Sequence, residues 1–116
     1  MVKIDIVPMG KPRQTQSDKW RQRDVVMRYR AFADDMRGQV RGHLEPKLAL
    51  AFYIPMPKSW SEKKRTEMLG RPHQQKPDID NLIKSVLDVL CTDDSYIHDV
   101  HARKFWATDG AIEIEE

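Results

Sequence analysis

Asp78 and Asp80 stand two residues apart just after Pro77, and Lys84 follows Asp80 by four. The residue before a proline is held extended, and in extended chain side chains two apart point the same way, so the two carboxylates can sit side by side. Lys84 falls on the same face of a helix beginning at these aspartates. Paired hard oxygen donors suit Mg²⁺, which keeps several waters and shares its shell with phosphates. A lysine close by offsets charge on a scissile phosphate or positions the attacking water. Two or three carboxylates with a lysine is a recurring set for metal-dependent phosphodiester hydrolysis. The same residues also have an ordinary structural use. An Asp in a first helical turn caps free N–H groups and answers the macrodipole, Asp80/Lys84 is a normal surface ion pair, and Asp88 offers Lys84 a second partner. Thr92-Asp93-Asp94-Ser95 is a typical turn composition.

The elements that must position these groups follow from the patterning. Val2 to Val7 alternates and predicts a strand stopped by Pro8, and Met9 to Lys19 reads as a basic loop. From about Trp20 to Val40, Val25, Tyr29, Phe32, Met36 and Val40 recur at helical spacing, with Arg21, Arg28 and Arg37 on the other face and Gly42 as the stop. Leu48 to Ile54 predicts a second strand, with Leu48, Leu50, Phe52 and Ile54 on one side and Ala49 and Ala51 on the other. Ser59-Trp60-Ser61-Glu62 is a capping-box pattern opening a short helix that ends at Gly70. Residues 71 to 77 read as a mobile basic loop. A helix then runs from Asp78 or Asp80 to Cys91 on a core stripe of Leu82, Ile83, Val86, Leu87 and Leu90. Strands over 97–107 and 111–115 flank Asp109-Gly110, which predicts a hairpin. The expected fold is α/β (mixed α+β), one domain over 1–116: a mixed sheet of about four strands with helices packed on it, in the order β-α-β-α-α-β-β. One difficulty is geometric. Asp78/Asp80 and Asp93/Asp94 lie at opposite ends of one helix, about 18 Å apart by helical rise. A shared cation therefore requires chain reversal or dimerisation.

Composition limits the alternatives. The chain has 116 residues, 40% hydrophobic and 33% charged, which suits a folded domain rather than a disordered one. No apolar run approaches the roughly 18 residues of a membrane span, and the N-terminus lacks a signal-peptide core. The single Cys91 allows no internal disulfide, so a cytoplasmic, reducing setting is expected. Charge is segregated: residues 1–76 hold 17 of the 20 Lys/Arg and 8 of the 18 Asp/Glu, a net +9, while residues 77–116 carry a net −7. A basic segment neutralises phosphates, and a concentrated acidic one invites divalent cations, though the two halves also attract each other.

The run Pro77-Asp78-Ile79-Asp80-Asn81-Leu82-Ile83-Lys84, then Val86-Leu87-Asp88-Val89-Leu90, then Asp93-Asp94-Ser95, closely resembles the signature of RusA-type crossover-junction endodeoxyribonucleases. The likeness continues from His101-Ala102-Arg103-Lys104 to the final strand, and Gly10-Lys11-Pro12-Arg13-Gln14-Thr15 resembles the basic loop of phage-borne relatives. Residues 20–70 match in element order alone. The resemblance implies that Asp78, Asp80 and Asp94 are metal-binding, catalytic acids and that Lys84 is the essential lysine. It also implies a homodimeric, Mg²⁺-dependent enzyme, with Mn²⁺ as a possible substitute. Such an enzyme nicks four-way junctions symmetrically, in a bacterial host cytosol if phage-encoded. The segment before Asp78 is less basic than in some members, which puts junction affinity or sequence preference in question.

Lys11, Arg13, Lys19, Arg21, Arg71 and Lys76 are candidates for phosphates flanking a cut, against a plain reading as solvated loop charge. Trp20, Trp60 and Trp106 are candidates for base stacking but are more ordinarily core. His98 and His101, three apart in a strand, face opposite sides and do not suit a shared zinc. His73 lies in the basic loop, within approach of phosphate. Glu113 and Glu115 read as the solvent face of an edge strand. Two other classes stay open: a non-catalytic branched-DNA-binding module, indifferent to EDTA, and a small interaction protein recruiting a partner through its acidic half.

Overall fold

Leu48, Leu50, Phe52 and Ile54 alternate along one strand and are all buried, and the layering follows from them. The computed structural model describes residues 1–12 and 24–116. Its elements are β1 (Val2–Ile4), α1 (Asp24–Gln39), β2 (Lys47–Pro55), α2 (Glu62–Met68), α3 (Ile79–Leu90), β3 (Asp99–Ala107) and β4 (Ala111–Glu115), in the order the patterning predicts. The four strands form one mixed sheet ordered β1-β4-β2-β3. Strand register puts Ile114 and Ala102 beside Leu50, Ile112 and Lys104 beside Phe52, and Trp106 beside Ile54, so one face is nearly continuous apolar surface. Phe32 and Met36 of α1 and Leu82, Val86 and Val89 of α3 close over it in a single core cluster. The opposite face carries Tyr53 stacked on Phe105 at 5.7 Å, with Arg103 over the Phe105 ring.

The sheet corrects the expected hairpin. β3 and β4 are consecutive but do not pair, because β2 lies between them, parallel to β3 and antiparallel to β4. A parallel pair needs a long crossover, which α2 and α3 supply. β4 then enters between β1 and β2, so it is a central strand and Glu113 and Glu115 do not lie on an edge. The turn is real, but it carries the chain across rather than back. Gly110 packs so tightly on the end of the first segment that a Cβ there would lie 2.6 Å from Val7 Cα. The first strand also stops at Ile4 rather than Val7.

Three helical details differ from the pattern reading. α1 is described from Asp24, so a start at Trp20 falls outside the described residues. Ser61, not Ser59, caps α2 by accepting from Lys64 N at 3.2 Å, because Trp60 N donates to Pro57 O in a turn of its own just before. The core stripe of α3 is rotated: Leu82, Ser85, Val86 and Val89 are buried, while Ile83, Leu87 and Leu90 are half-buried on one flank. Ser85 is tolerated inside because its hydroxyl donates to Leu82 O at 2.9 Å.

Candidate functional site

The segment expected to be a mobile loop, residues 71 to 77, is tied along the outer edge of β3. Trp106 N donates to Arg71 O, His73 N to Lys104 O, and Pro72 bridges Phe105. These backbone bonds fix the path of the chain into α3. Lys104 adds a clamp from below. It sits on the helix-facing side of the sheet, and its ammonium donates to Gln75 O at 2.8 Å and Pro77 O at 2.9 Å. Chain and clamp leave a cleft of about 650 Å³ whose lining includes Lys76, Asp78, Asp80 and Lys104.

Asp78 is the N-cap residue of α3, extended at φ −68° and ψ 145°, yet its side chain makes no capping hydrogen bond. Among the described residues its carboxylate has no hydrogen-bond or ion-pair partner and is open to a ligand. Asp80 Oδ1 accepts from Asn81 N at 2.9 Å, and Asp80 lines the same cleft. The mundane pairings do not form among the described residues. Asp80 and Lys84 make no ion pair, and Asp88 is taken by Lys11, whose Nζ lies 2.7 Å from Asp88 Oδ2. Lys84 stands exposed one turn beyond Asp80.

A second segment is anchored on the same helix. Asn81 Nδ2 donates to Lys11 O at 3.2 Å, and Gly10 lies so close that a Cβ would come 2.3 Å from that amide nitrogen. With the Lys11–Asp88 bond, this fixes the start of the basic loop against α3. That bond also holds the Lys11 pKa above its ordinary value. Lys11 is thus engaged rather than free for phosphate, while Arg71 and Lys76 are exposed and Lys76 lines the cleft. Arg13, Lys19, Arg21 and Trp20 lie outside the described residues.

Asp94 is not brought to Asp78 and Asp80. It lies in the turn beyond the far end of the 12-residue helix, where its backbone O accepts from Ile97 N. Asp93 Oδ1 accepts from Ser95 N at 2.9 Å, and this bond holds its carboxyl below the usual range. Trp106 is core, 4% exposed, and packs on Trp60 at 4.7 Å, so it is closed to base stacking.

His73 is not the phosphate-facing residue its loop suggests. It is buried with its ring 4.3 Å from that of Trp106, and Nδ1 has no partner. Burial, then the Lys104 ammonium, pushes its pKa down. The unfolded chain accordingly takes up a proton near pH 6.5 that the folded protein resists. Stability should be full above that pH and fall as pH drops through it. Urea melts of wild type and His73→Phe at pH 7.5 and 5.5 check this: the variant should lose most of the difference between the two.

Sequence reasoning missed Lys104 and Asn81. Lys104 had a visible signal: Val100, Ala102, Lys104 and Trp106 share one strand parity, and the lysine interrupts an otherwise apolar series.

Fold and site together define a small α+β domain that opens a helix with the carboxylates of Asp78 and Asp80 at a lysine-clamped cleft. The family model described as endodeoxyribonuclease RusA matches residues 5–115, nearly the whole chain, and the chain belongs to that family. A curated relative, the "Uncharacterized protein YqaN" of Bacillus subtilis (strain 168), is 38% identical over 71 residues. That match covers 53% of this chain and 49% of YqaN, so the chain spans about half the length of that relative. No solved structure matches. Among the described residues, no helix is long and apolar enough to cross a membrane.

Proposed function

We propose that this chain is a single-domain, Mg²⁺-dependent endodeoxyribonuclease that resolves four-way DNA junctions by paired symmetric nicks. It acts as a homodimer, in the cytoplasm. The observation that carries the reading is that Asp78, although at the N-cap, spends its carboxylate on no cap and shares one cleft with Asp80.

The donor set fits a hard divalent cation: exposed carboxylate oxygens from residues two apart, beside a cleft open enough to admit a phosphodiester. Mg²⁺ bound there supplies charge neutralisation and a water of lowered pKa, and Mn²⁺ is the expected substitute. The protein's own part is positioning. Lys104 sets the chain entering Asp78, the α3 backbone sets Asp80, and Lys84 presents a cation one turn away for charge developing on the phosphate. Lys76 and Arg71 contact the flanking backbone of branched DNA, where they add affinity without sequence preference. A two-fold pair of such sites suits the near two-fold symmetry of a junction.

The test is cleavage of a labelled synthetic four-way junction beside linear duplex, in Mg²⁺ and in EDTA. Paired nicks on the junction alone, absent in EDTA, are expected. Junction binding without cutting in either Mg²⁺ or Mn²⁺ would mean that the protein is a non-catalytic branched-DNA-binding module.

A further inference from the structure

We propose that Gln74 and Gln75 read base edges beside the scissile phosphate, so that junctions are cut by preference where an adenine stands at a fixed step from the cut. The proposal rests on the nuclease reading above and deepens it by assigning what the rest of the same cleft recognises.

The two amides are unspent. Gln74 and Gln75 are exposed on the lining of the cleft that holds Asp78 and Asp80. Among the described residues neither side chain has a hydrogen-bond partner, and the bond that Gln75 accepts from Lys104 is made by its main-chain O. The backbone beneath them is held on both sides. His73, directly before, is buried, and its N donates to Lys104 O at 3.0 Å. Lys104 Nζ then takes Gln75 O and Pro77 O. Side chains on a held main chain give up less freedom on meeting a ligand, and recognition is sharpest where the support is rigid.

The chemistry of the amide selects the partner. Phosphate oxygens only accept, so an amide turned toward phosphate leaves its carbonyl facing negative charge. Lys76 on the same lining and the exposed Arg71 suit phosphate better. Among the described residues of the lining, the other polar side chains are charged or, like His73, buried. The glutamines therefore offer what the rest of the wall does not, a donor and an acceptor side by side. In a duplex arm the Watson–Crick edges are occupied, and the major groove displays what remains. Adenine presents an acceptor beside a donor there, which one amide meets with both of its groups. Guanine presents two acceptors, cytosine a donor, and thymine an acceptor beside a methyl group.

Placement agrees with this. The scissile phosphate belongs at Asp78 and Asp80, and Gln75 precedes Asp78 by three residues on the wall of the same cleft. Successive phosphates of a strand are spaced about 3.4 Å along the duplex axis. A base pair one or two steps from the cut thus stays within a cleft of about 650 Å³.

The test uses a pool of immobile four-way junctions whose base pairs next to the crossover are randomised. Junctions bound by the full chain in EDTA, and products cut in Mg²⁺, are recovered and sequenced. Wild type should enrich adenine at one fixed step in both fractions, about tenfold over other bases at the cut sites. The Gln74→Ala/Gln75→Ala double variant should bring that ratio close to one. Gln74→Arg or Gln75→Arg should move the preference to guanine, whose two acceptors suit a guanidinium, a change that a merely structural role would not produce. If the double alanine variant fails to fold, the arginine variants decide. No enriched base, a base other than adenine, or an adenine preference that survives the double variant overturns the proposal. Cutting without base preference would do so while leaving the nuclease reading standing. Adenine enriched among bound junctions that are cut in neither Mg²⁺ nor Mn²⁺ would sink the nuclease reading and keep the base contact.

Discussion

Asp78→Asn should lower junction cleavage on the order of 10³-fold while leaving the melting temperature nearly where it was. Loss of one preorganised charge contact to a transition state costs about 3–4 kcal/mol in barrier height. The stability side of the prediction rests on the helix start. The Asp78 side chain makes no capping bond, so removing its charge breaks nothing in the fold, and an exposed change of this kind stays within about 0.5 kcal/mol. Binding of the four-way junction should survive or tighten, since a negative charge leaves the neighbourhood of phosphates. Asp80→Asn should behave the same way, and the double variant should cost little more than either alone, as groups that act as a unit are not additive. The check is single-turnover cleavage with a gel-shift assay and a thermal melt on the same preparation. Near-normal cleavage by both single variants would mean that these aspartates only shape the helix start.

Lys104→Met should cut activity about 10²-fold without touching a carboxylate. Lys104 reaches the site through the main chain: its ammonium holds Gln75 O and Pro77 O, and Pro77 is bonded to Asp78. A displacement of about 1 Å at a reacting group is enough for a loss of that size. Hydrogen bonds from a charged donor contribute about 1.5–3 kcal/mol each, and Lys104 is only half-buried, so a total loss near 2 kcal/mol in stability is expected. The distinguishing readout is the Mg²⁺ concentration for half-maximal cleavage, which should rise as the carboxylates lose their mutual placement. Lys104→Arg keeps a charged donor at that depth and should recover part of the activity. A fall in melting temperature with an unchanged Mg²⁺ midpoint would reduce Lys104 to an ordinary structural lysine.

What the sequence made legible was local. The seven elements and their order are readable because Leu, Ile and Val recur at clean periods of two and of three to four. The Asp-x-Asp run with its lysine is readable because the chemistry lies within seven residues. Pairing between distant segments is not. Asp109-Gly110 signals a turn correctly, but whether the strands on either side bond to each other depends on β2, which competes for both from some fifty residues away. The loop at 71–77 reads as mobile because its composition is polar, yet its backbone is held by β3, and composition says nothing about where main-chain groups find partners. Ser85 hides in the core for a related reason, since its hydroxyl is satisfied within its own helix. The distance between Asp94 and the other acids was legible as a difficulty, and the fold retains it within one subunit.

The threading of β4 between β1 and β2 has a consequence for when the molecule can come into being. β1 pairs only with β4 among the described residues, so β1 has nowhere to settle in this sheet until β4 is made. The middle of the sheet is likewise vacant until then. Assembly of the sheet must therefore wait for β4 and close contacts between strands more than a hundred residues apart, a topology that folds slowly for its size. The segment carrying Asp78 and Asp80 therefore precedes in synthesis both β3, whose edge and Lys104 hold its path, and the strand that fills the middle of the sheet.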